Sequence, residues 1–357
     1  MEKNNDEDCS GSLLVMRFSA MGDVAMSIPV VFSYAEQHPT QRVIYLSRDT
    51  LTSLFKHAPQ NVEFIGLNLK HGWRGFVQLF QVAFRLRRQH IVQIADLHDV
   101  IRTKILRHLV SCFRTCRVAH LNKMRAERRR MTSHASDTLS PLPSTIGNYA
   151  EVLRAVGDAQ FEYPADFRLR YEKIELPISR KSKKEEPRIG LAPFAAHFGK
   201  IYPVALTEKF VQRFFMRYPL GSIYVFGSQR EMIHLRESWN FSQLTFVCDI
   251  ASNLSEEMSV IQELDLMVSM DSANMHLASL VGVPVVSVWG ATHPYIGFLG
   301  YGQSTENAVQ LPLPCRPCSV YGKKKCMFSD YACLNLIKPE QILEKVDALI
   351  EKEGKES

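Results

Sequence analysis

Residues 270–290, MDSANMHLASLVGVPVVSVWG, place polar side chains where a buried strand would end and a short helix would begin. Asp271 and Ser272 stand at the start of that helix, and His276 follows one turn later. The first N–H groups of a helix lack intrahelical partners and carry a partial positive charge, so they can bind a phosphate. The small residues after Ser272 would leave room for it. The alternative interpretation is a capped helix that stops at the following Gly-Val-Pro.

A second polar loop, SAMGDV, follows the first apolar segment of the chain, LLVMRF. Gly22 permits a sharp turn, and Asp23 opens the next helix. An aspartate in this place often does no more than cap the helix. A carboxylate there can also take a proton as a general base. The residue types alone leave both roles open.

Four cysteines near the end of the chain have the spacing Cys315-x2-Cys318-x7-Cys326-x6-Cys333. Thiolates at such spacing can hold a structural zinc ion. Free thiols or an incidental disulfide fit the pattern as well. The spacing does not decide between these states.

Length and composition bound the class of protein. A chain of 357 residues is too long for one ordinary core and predicts two domains, and its 46% hydrophobic and 22% charged residues are typical of a globular protein. The net charge of +6 indicates an anionic partner without identifying it. The sequence contains no Ser-His-Asp spacing, Walker loop or Gly-x-Gly-x-x-Gly, so no motif supports a hydrolase, a kinase or a dehydrogenase.

The N-terminal residues, MEKNNDEDCSGS, are polar and acidic and lack the basic and apolar regions of a secretory signal. No apolar run without charges reaches the about 18 residues of a membrane-spanning helix. We therefore expect a cytoplasmic protein without transmembrane helices, which could associate peripherally with the inner face of the inner membrane.

Strand and helix patterns alternate along both halves of the chain. The first half contains the strand-like segments LLVMRF, RVIYLS, VEFIGL and HIVQIADL, and the second contains RIGLAPF, SIYVFGS, LTFVCD, DLMVSM and VPVVSVWG. Amphipathic helical segments separate most of them, which predicts parallel sheets with crossover helices. The polar run ISRKSKKEEP would be a linker. We thus predict an N-terminal domain over residues 1–178, a linker over 179–187 and a C-terminal domain over 188–357, both doubly wound α/β domains.

Five segments, in order, carry a resemblance to a known family: RFSAMGDVAMSIPV, ADLHDVIRTKIL, GLAPFAAHFGKIYP, MDSANMHLASLVGVPVVSVWGATHP and CRPCSVYGKKKC. Over roughly residues 12–350 the chain resembles the heptosyltransferases of glycosyltransferase family 9. These enzymes have the GT-B fold, two Rossmann-like domains facing a cleft, and move heptose from ADP-heptose onto the lipopolysaccharide core with inversion. The resemblance implies the same fold, a nucleotide-sugar donor, a lipid-linked glycan acceptor, no cofactor and no catalytic metal.

The resemblance also implies two catalytic residues. Asp23 matches the family's proposed catalytic aspartate, which would take the proton of the acceptor hydroxyl; such a base typically contributes about 10²–10⁴-fold. Lys200 would stabilise the charge that develops on the leaving diphosphate. Because they belong to different predicted domains, the cleft would close to bring them around one reaction centre.

The donor site implied by the resemblance comes mainly from the helix start in the opening segment. Its residues would be Ser272, Ala273, Asn274 and His276, with Glu231 on the ribose and Thr292, next to His293, near the nucleotide. The family pattern has glycine where this chain has Ala273. It also has hydroxyl residues where this chain has Ala195 and Ala196, so backbone N–H groups would do more of the phosphate binding.

For the acceptor, the resemblance points to Asp96, His98 and Arg102, since a guanidinium can bind a carboxylate or phosphate through two hydrogen bonds. A plain surface helix is the alternative there. The basic run NKMRAERRRM could attract an anionic membrane surface, or could simply be solvated. It lacks interleaved aromatic residues, so we do not expect a nucleic-acid partner.

The sequence is therefore compatible with two functions from different classes. The first is an inverting, metal-independent glycosyltransferase that moves heptose or a related sugar. The second is a non-catalytic protein of the same fold that binds a nucleotide or anionic lipid. The pair Asp23 and Lys200 favours the enzyme, and the replaced glycine at Ala273 keeps the alternative open.

Overall fold

The computed structural model of the chain describes residues 11–68, 73–112, 115–133, 139–178, 180, 182 and 184–356. Contacts divide these residues into two compact units. One contains the described residues up to Lys123 together with Ile146–Pro164, and the other contains Met124–Thr145 and the described residues from Ala165 onwards. The predicted bounds at 178 and 187 differ from this division, since residues 165–187 are counted with the second unit; a linker function for 179–187 stays a prediction.

The first unit is built on a five-stranded parallel sheet with the order β3-β2-β1-β4-β5. Its strands are β1 Ser12–Met16, β2 Val43–Arg48, β3 Val62–Leu67, β4 Ile91–Asp96 and β5 Arg117–His120. Its helices are α1 Met21–Gln37, α2 Trp73–Arg87, α3 Ile101–Ser111 and α5 Thr145–Val156, with a short 3-10 helix over Asp49–Phe55. Helix α4, Arg125–Thr132, belongs to the second unit. Every residue of β1 is buried, which explains its continuous apolar sequence.

The second unit has a six-stranded parallel sheet with the order β11-β10-β9-β6-β7-β8. Its strands are β6 Arg188–Ala192, β7 Ser222–Val225, β8 Leu244–Phe246, β9 Leu266–Met270, β10 Val285–Val288 and β11 Ala308–Val309. Its helices are α6 Val204–Arg217, α7 Gln229–Arg236, α8 Leu254–Gln262, α9 Ala273–Leu280, α10 Ala332–Asn335 and α11 Pro339–Glu356. Short 3-10 helices cover Phe198–Lys200, Val247–Asp249, Pro294–Ile296 and Thr305–Asn307.

Both sheets follow one plan, which confirms the predicted doubly wound units. In each, the first strand lies in the middle and the strand order reverses beside it, between β1 and β4 and between β6 and β9. Ligands of such sheets bind beyond the carboxyl ends of the strands at this reversal. We therefore expect the functional side chains on the loops after β1, β4, β6 and β9.

The predicted strands occur where expected, within a few residues, but the edge strands β5 and β11 were not anticipated. The strand β5 has four residues, RVAH, with largely exposed side chains, so it lacks the apolar run that marks a buried strand. The strand β11 has only two residues, Ala308–Val309. Within the described ranges, none of the helices combines the length and apolar character that a bilayer crossing requires.

Candidate active site

Three side chains meet at the carboxyl edge of the second sheet. Lys200 follows β6, Asp271 follows β9 and Thr292 follows β10. Lys200 Nζ lies 2.7 Å from Asp271 Oδ2, and Thr292 Oγ1 donates to the same oxygen at 2.8 Å. Asp271 and Thr292 are buried, whereas the Lys200 side chain retains 14% exposure. An ammonium has three N–H donors, so the pair with Asp271 fixes Lys200 and leaves donors for an anion.

The backbone around Lys200 is held from two sides. Ala291 N–H donates to Gly199 O at 2.8 Å, and Gly199 N–H donates to Gly322 O at 3.3 Å. A Cβ on Gly322 would lie 2.7 Å from Lys200 Cγ, so the lysine stem packs directly over that glycine. The loop that contains the cysteines thus forms one wall of the Lys200 position.

The start of α9 lacks the side-chain cap that the alternative interpretation required. Ser272 occupies the N-cap position, but its side chain accepts no hydrogen bond from the helix; its Oγ lies 3.2 Å from Ser269 Oγ instead. The carboxylate of Asp271 is directed to Lys200 and Thr292. Because neither side chain caps α9, its first N–H groups are placed to bind an anion, and Ser272, Ala273 and Asn274 are half-buried there.

The loop after β10, residues 289–293, is fixed by Arg316, which sequence reasoning did not single out. Its buried guanidinium donates to Thr292 O at 2.8 Å, to Trp289 O at 3.1 Å and to Gly290 O. A guanidinium has five donors, so one side chain can bind several carbonyl groups of a loop at once. Arg316 lies within the cysteine segment, and no pattern in the sequence marks it as a loop anchor.

The remaining predicted donor residues have structural contacts of their own. Glu231 forms a capping box with Ser228: its Oε2 accepts from Ser228 N–H at 2.8 Å, and Ser228 Oγ accepts from Glu231 N–H at 3.3 Å. His276 is buried in α9. His293 Nδ1 accepts from Tyr295 N–H at 3.1 Å, and burial, with Arg316 nearby, lowers the pKa of His293 to about 4. A role for Glu231 on ribose and for His276 on the donor stays a prediction.

In the first unit, Asp23 is the third residue of α1, which begins at Met21. Its Oδ2 accepts from Ala20 N–H at 3.0 Å and lies 2.6 Å from Arg17 Nη2. The Asp23 side chain is 24% exposed, so its carboxylate is both anchored and accessible. The signal for Arg17 was present in the sequence, as a charged residue inside the otherwise apolar run LLVMRF.

Of the predicted acceptor residues, Asp96 is fully buried and shapes its loop. It accepts from the N–H groups of His98 at 3.0 Å and Asp99 at 2.8 Å, and pairs with Arg107 at 3.1 Å. With no exposed surface, it can contribute to an acceptor site only through the loop that it holds. Arg102, in the first turn of α3, is half-buried. Acceptor binding by Asp96, His98 and Arg102 stays a prediction.

His98 contacts the loop between β1 and α1, the helix that carries Asp23. Its Nδ1 accepts from Phe18 N–H at 3.3 Å, so the neutral ring carries its proton on Nε2, which lies 3.5 Å from Ser19 Oγ. Burial lowers the pKa of His98 to about 3, and the charges of Arg17 and Lys123 add to the effect. With one nitrogen accepting and the other protonated, His98 is a hydrogen-bond donor here and is poorly suited to act as the base.

The four cysteines line one cavity of about 310 Å³ together with Arg316, Met327 and Phe328. Burial raises the pKa of Cys333 to about 11 and raises that of Cys318 above its ordinary value. Across the described part of the chain, no three His, Cys, Asp or Glu side chains are arranged to hold a metal ion. The structure thus gathers the four cysteines, as free thiols, around one cavity.

A family model and a curated relative match most of the chain. Residues 61–328 match the profile of glycosyltransferase family 9 (heptosyltransferase). The chain is 22% identical over 300 residues to the lipopolysaccharide core heptosyltransferase OpsX of Haemophilus influenzae, an alignment that covers 79% of this chain and 80% of that protein.

Two solved structures show the fold. E. coli ADP-heptose lipopolysaccharide heptosyltransferase II is similar with a TM-score of 0.66 and 15% identity, over 96% of this chain and 99% of that one. E. coli heptosyltransferase WaaC with ADP gives a TM-score of 0.64 and 14% identity, over 95% and 99%. The chain therefore has the GT-B fold that the sequence predicted.

Proposed function

The chain belongs to glycosyltransferase family 9, and we propose that this glycosyltransferase transfers heptose from ADP-heptose, with inversion, to a lipid-linked glycan acceptor of lipopolysaccharide synthesis. The names of its relatives support the sugar and the acceptor class: one acts on the lipopolysaccharide core, and one is an ADP-heptose enzyme. The cytoplasmic face of the membrane is the proposed place of action, since lipid-linked acceptors are assembled there.

The observation that carries the proposal is the cluster of Lys200, Asp271 and Thr292 beside the uncapped start of α9. Lys200 Nζ is fixed at 2.7 Å from Asp271 Oδ2, and the N–H groups at Ala273 and Asn274 add the partial positive charge of the helix. A nucleoside diphosphate presents two phosphates, which match these two sources of positive charge. When the bond between the anomeric carbon and the phosphate oxygen breaks, the electron pair goes to ADP, and this cluster would stabilise the resulting charge.

Asp23 is the proposed general base. As the acceptor oxygen attacks the anomeric carbon, its proton passes to the carboxylate, and the products are the new glycoside, ADP and one proton. The 24% exposure of Asp23 and its fixed position support this role. We also propose that transfer needs no metal ion, because the ammonium of Lys200 and the first N–H groups of α9 would supply positive charge to the diphosphate.

The alternative, a non-catalytic protein that binds a nucleotide, rests on Ala273 in place of the family's glycine. This methyl group stands on a half-buried residue at the start of α9, and the N–H group of Ala273 remains in place. The substitution therefore changes the shape of the phosphate position without removing its donors. Transfer activity separates the two functions.

The test combines binding and turnover on the full chain. ADP should raise the melting temperature more than AMP, since at 100 times its Kd a ligand adds about 2.7 kcal/mol and the second phosphate strengthens binding. Lys200→Ala should abolish most of the difference between ADP and AMP. ADP release from ADP-heptose with a lipopolysaccharide-precursor acceptor, in the presence of EDTA, measures transfer.

Equal shifts with ADP and AMP would contradict the diphosphate site. ADP binding without any transfer to precursor acceptors would favour the non-catalytic alternative. Transfer that stops in EDTA and returns with a divalent ion would contradict only the proposed independence from a metal ion.

A further inference from the structure

The basic run NKMRAERRRM, which overlaps α4, could attract an anionic membrane surface, but two of its cations have other contacts. Arg128 is buried, with its guanidinium 4.4 Å from the centre of the Phe298 ring and Nη2 donating to Thr145 Oγ1 at 3.2 Å. Lys123 Nζ donates to Asp99 O at 2.9 Å. Fewer cations of this run are therefore available to bind lipid headgroups. Apolar contacts with a membrane surface would come from another element.

Helix α2 presents large apolar side chains to solvent. Val77, Phe80 and Phe84 are 39%, 57% and 60% exposed, and their spacing places them on one face of the helix. A different face of α2 is already buried in the unit through Leu79, Ala83 and Leu86. The core of the first unit therefore does not account for the first face, which we call the aromatic face of α2: Val77, Phe80 and Phe84.

Arginines border this aromatic face. The guanidinium of Arg88 lies 4.7 Å from the centre of the Phe84 ring, and Arg85 and Arg88 are exposed. Helix α2 has no Asp or Glu in its sequence, and neither does its neighbour α3, to which Arg87 Nε bonds through Leu109 O at 2.8 Å. Lysines and arginines beside a face of large apolar side chains are typical of helices that lie in a membrane interface.

The positive charge of the chain is concentrated in the part of the sequence that contains α2 and α3. Residues 64–126 contain twelve lysines and arginines and only two acidic residues, Asp96 and Asp99, whereas the whole chain has a net charge of +6. Both aspartates are paired with Arg107. The exposed rings of α2 therefore lie in the most positive part of the sequence, without acidic side chains of their own helix to repel an anionic partner.

We propose that the aromatic face of α2 inserts into an anionic lipid surface, with Arg85 and Arg88 on the headgroups. Phenyl groups enter the boundary between headgroups and acyl chains, and arginines reach back to phosphates. A lipid surface fits better than a protein groove, because the contact combines protruding rings with a one-signed charge over two helices. This surface lies outside the proposed active-site residues, and it is measured without donor or acceptor.

The test is co-sedimentation of the full chain with vesicles of phosphatidylglycerol and phosphatidylethanolamine in equal amounts, and with phosphatidylcholine alone. The double variant Phe80→Gln/Phe84→Gln should bind the anionic vesicles about tenfold more weakly, and Arg85→Gln/Arg88→Gln should lose most of the salt-sensitive part of binding. Met216→Gln/Leu220→Gln is the matched control, since these residues are 81% and 62% exposed in the second unit. Equal melting temperatures of all variants verify folding.

A Phe80→Trp variant adds a measure of depth. Its emission, compared with that of the wild type, should shift to shorter wavelength on anionic vesicles and be quenched by brominated acyl chains, whereas Met216→Trp should not respond.

Three results would overturn the proposal. One is undiminished vesicle binding by Phe80→Gln/Phe84→Gln. Another is equal binding of the wild type to phosphatidylcholine. The third is a wild-type chain that fails to bind vesicles but binds single-stranded RNA, or forms a dimer in light scattering, through the aromatic face of α2.

Discussion

Arg17 Nη2 lies 2.6 Å from Asp23 Oδ2, so a buried guanidinium at the end of β1 holds the carboxylate that follows it in the first turn of α1. Arg17 is itself fixed, since Nη1 donates to Leu97 O at 2.6 Å and its guanidinium lies 5.7 Å from the centre of the Tyr149 ring. The two contacts of Asp23, from Arg17 and from Ala20 N–H, both use Oδ2. In the described part of the chain Oδ1 accepts no hydrogen bond, which leaves it for a proton from an acceptor.

Replacing Asp23 with Asn should lower the transfer rate by about 10²-fold or more, with little change in ADP affinity. The amide oxygen can still accept from Ala20 N–H and Arg17, so the amide nitrogen takes the place of Oδ1 and cannot accept a proton. Transfer rate and calorimetric ADP affinity are measured side by side. An Asp23→Asn enzyme with normal turnover would leave Asp23 as a residue that only starts α1.

Arg17 should act as a positioning residue for Asp23. We expect Arg17→Met to lower kcat about tenfold while KM for the donor stays near its wild-type value, because interactions within such a pair are typically worth about 0.5–3 kcal/mol. Arg17→Lys should recover part of the rate, since an ammonium can still pair with the carboxylate.

A double variant separates positioning from stability. If Arg17 acts through Asp23, then Arg17→Met should have little further effect on the rate in an Asp23→Asn background. Equal, additive losses in both backgrounds would indicate that Arg17 only stabilises the first unit.

A side chain at Gly322 should displace Lys200 and also strain the backbone. It has a φ of +74°, and a Cβ there would lie 2.7 Å from Lys200 Cγ. Gly322→Ala should therefore destabilise the fold by about 1–2 kcal/mol and weaken ADP binding several-fold. The matched control is Gly302→Ala, at φ +67° with nothing within 4 Å of the added Cβ. It should show the backbone cost alone; equal ADP affinities of the two variants would contradict the packing of Lys200 on Gly322.

His98 predicts how stability depends on pH. Its pKa is lowered from an ordinary value of 6.5 to about 3, so between these values the unfolded chain binds a proton that the folded chain does not. This contribution to the free energy of unfolding is complete above pH 6.5 and is lost as the pH falls toward 3. At pH 5 the loss should be on the order of 1–2 kcal/mol relative to neutral pH.

The variant His98→Asn tests this, because asparagine can accept from Phe18 N–H without titrating. Urea unfolding at pH 7.5 and pH 5 should show a smaller pH-dependent loss for His98→Asn than for the wild type. The pKa of His293 is lowered to about 4 and acts in the same direction, so His98→Asn/His293→Asn should flatten the curve further. A curve for His98→Asn that coincides with the wild-type curve would contradict the burial of a neutral imidazole.

The sequence by itself determined the order of strands and helices and the loops that end the strands. A continuous apolar run such as LLVM is typical of a strand buried on both faces of a parallel sheet, and polar residues directly after it mark the carboxyl edge of that sheet. This local logic located Asp23, Lys200 and the Asp271–Ser272 junction. The strand β5 escaped it because four exposed edge residues carry no apolar periodicity.

Only the tertiary structure decided which groups pair. Asp271 pairs with Lys200 across two strands, Arg316 binds the carbonyl groups of a loop about 25 residues away, and Arg128 is buried although it stands in a run of solvated arginines. Strand order brings such partners together, and it follows from packing over the whole sheet rather than from neighbouring residues. The same packing decided which face of α2 is covered, and it left Phe80 and Phe84 exposed. Residue type and spacing give the inventory of charges and rings; long-range burial determines which of them are neutralised, held in place or left for a partner.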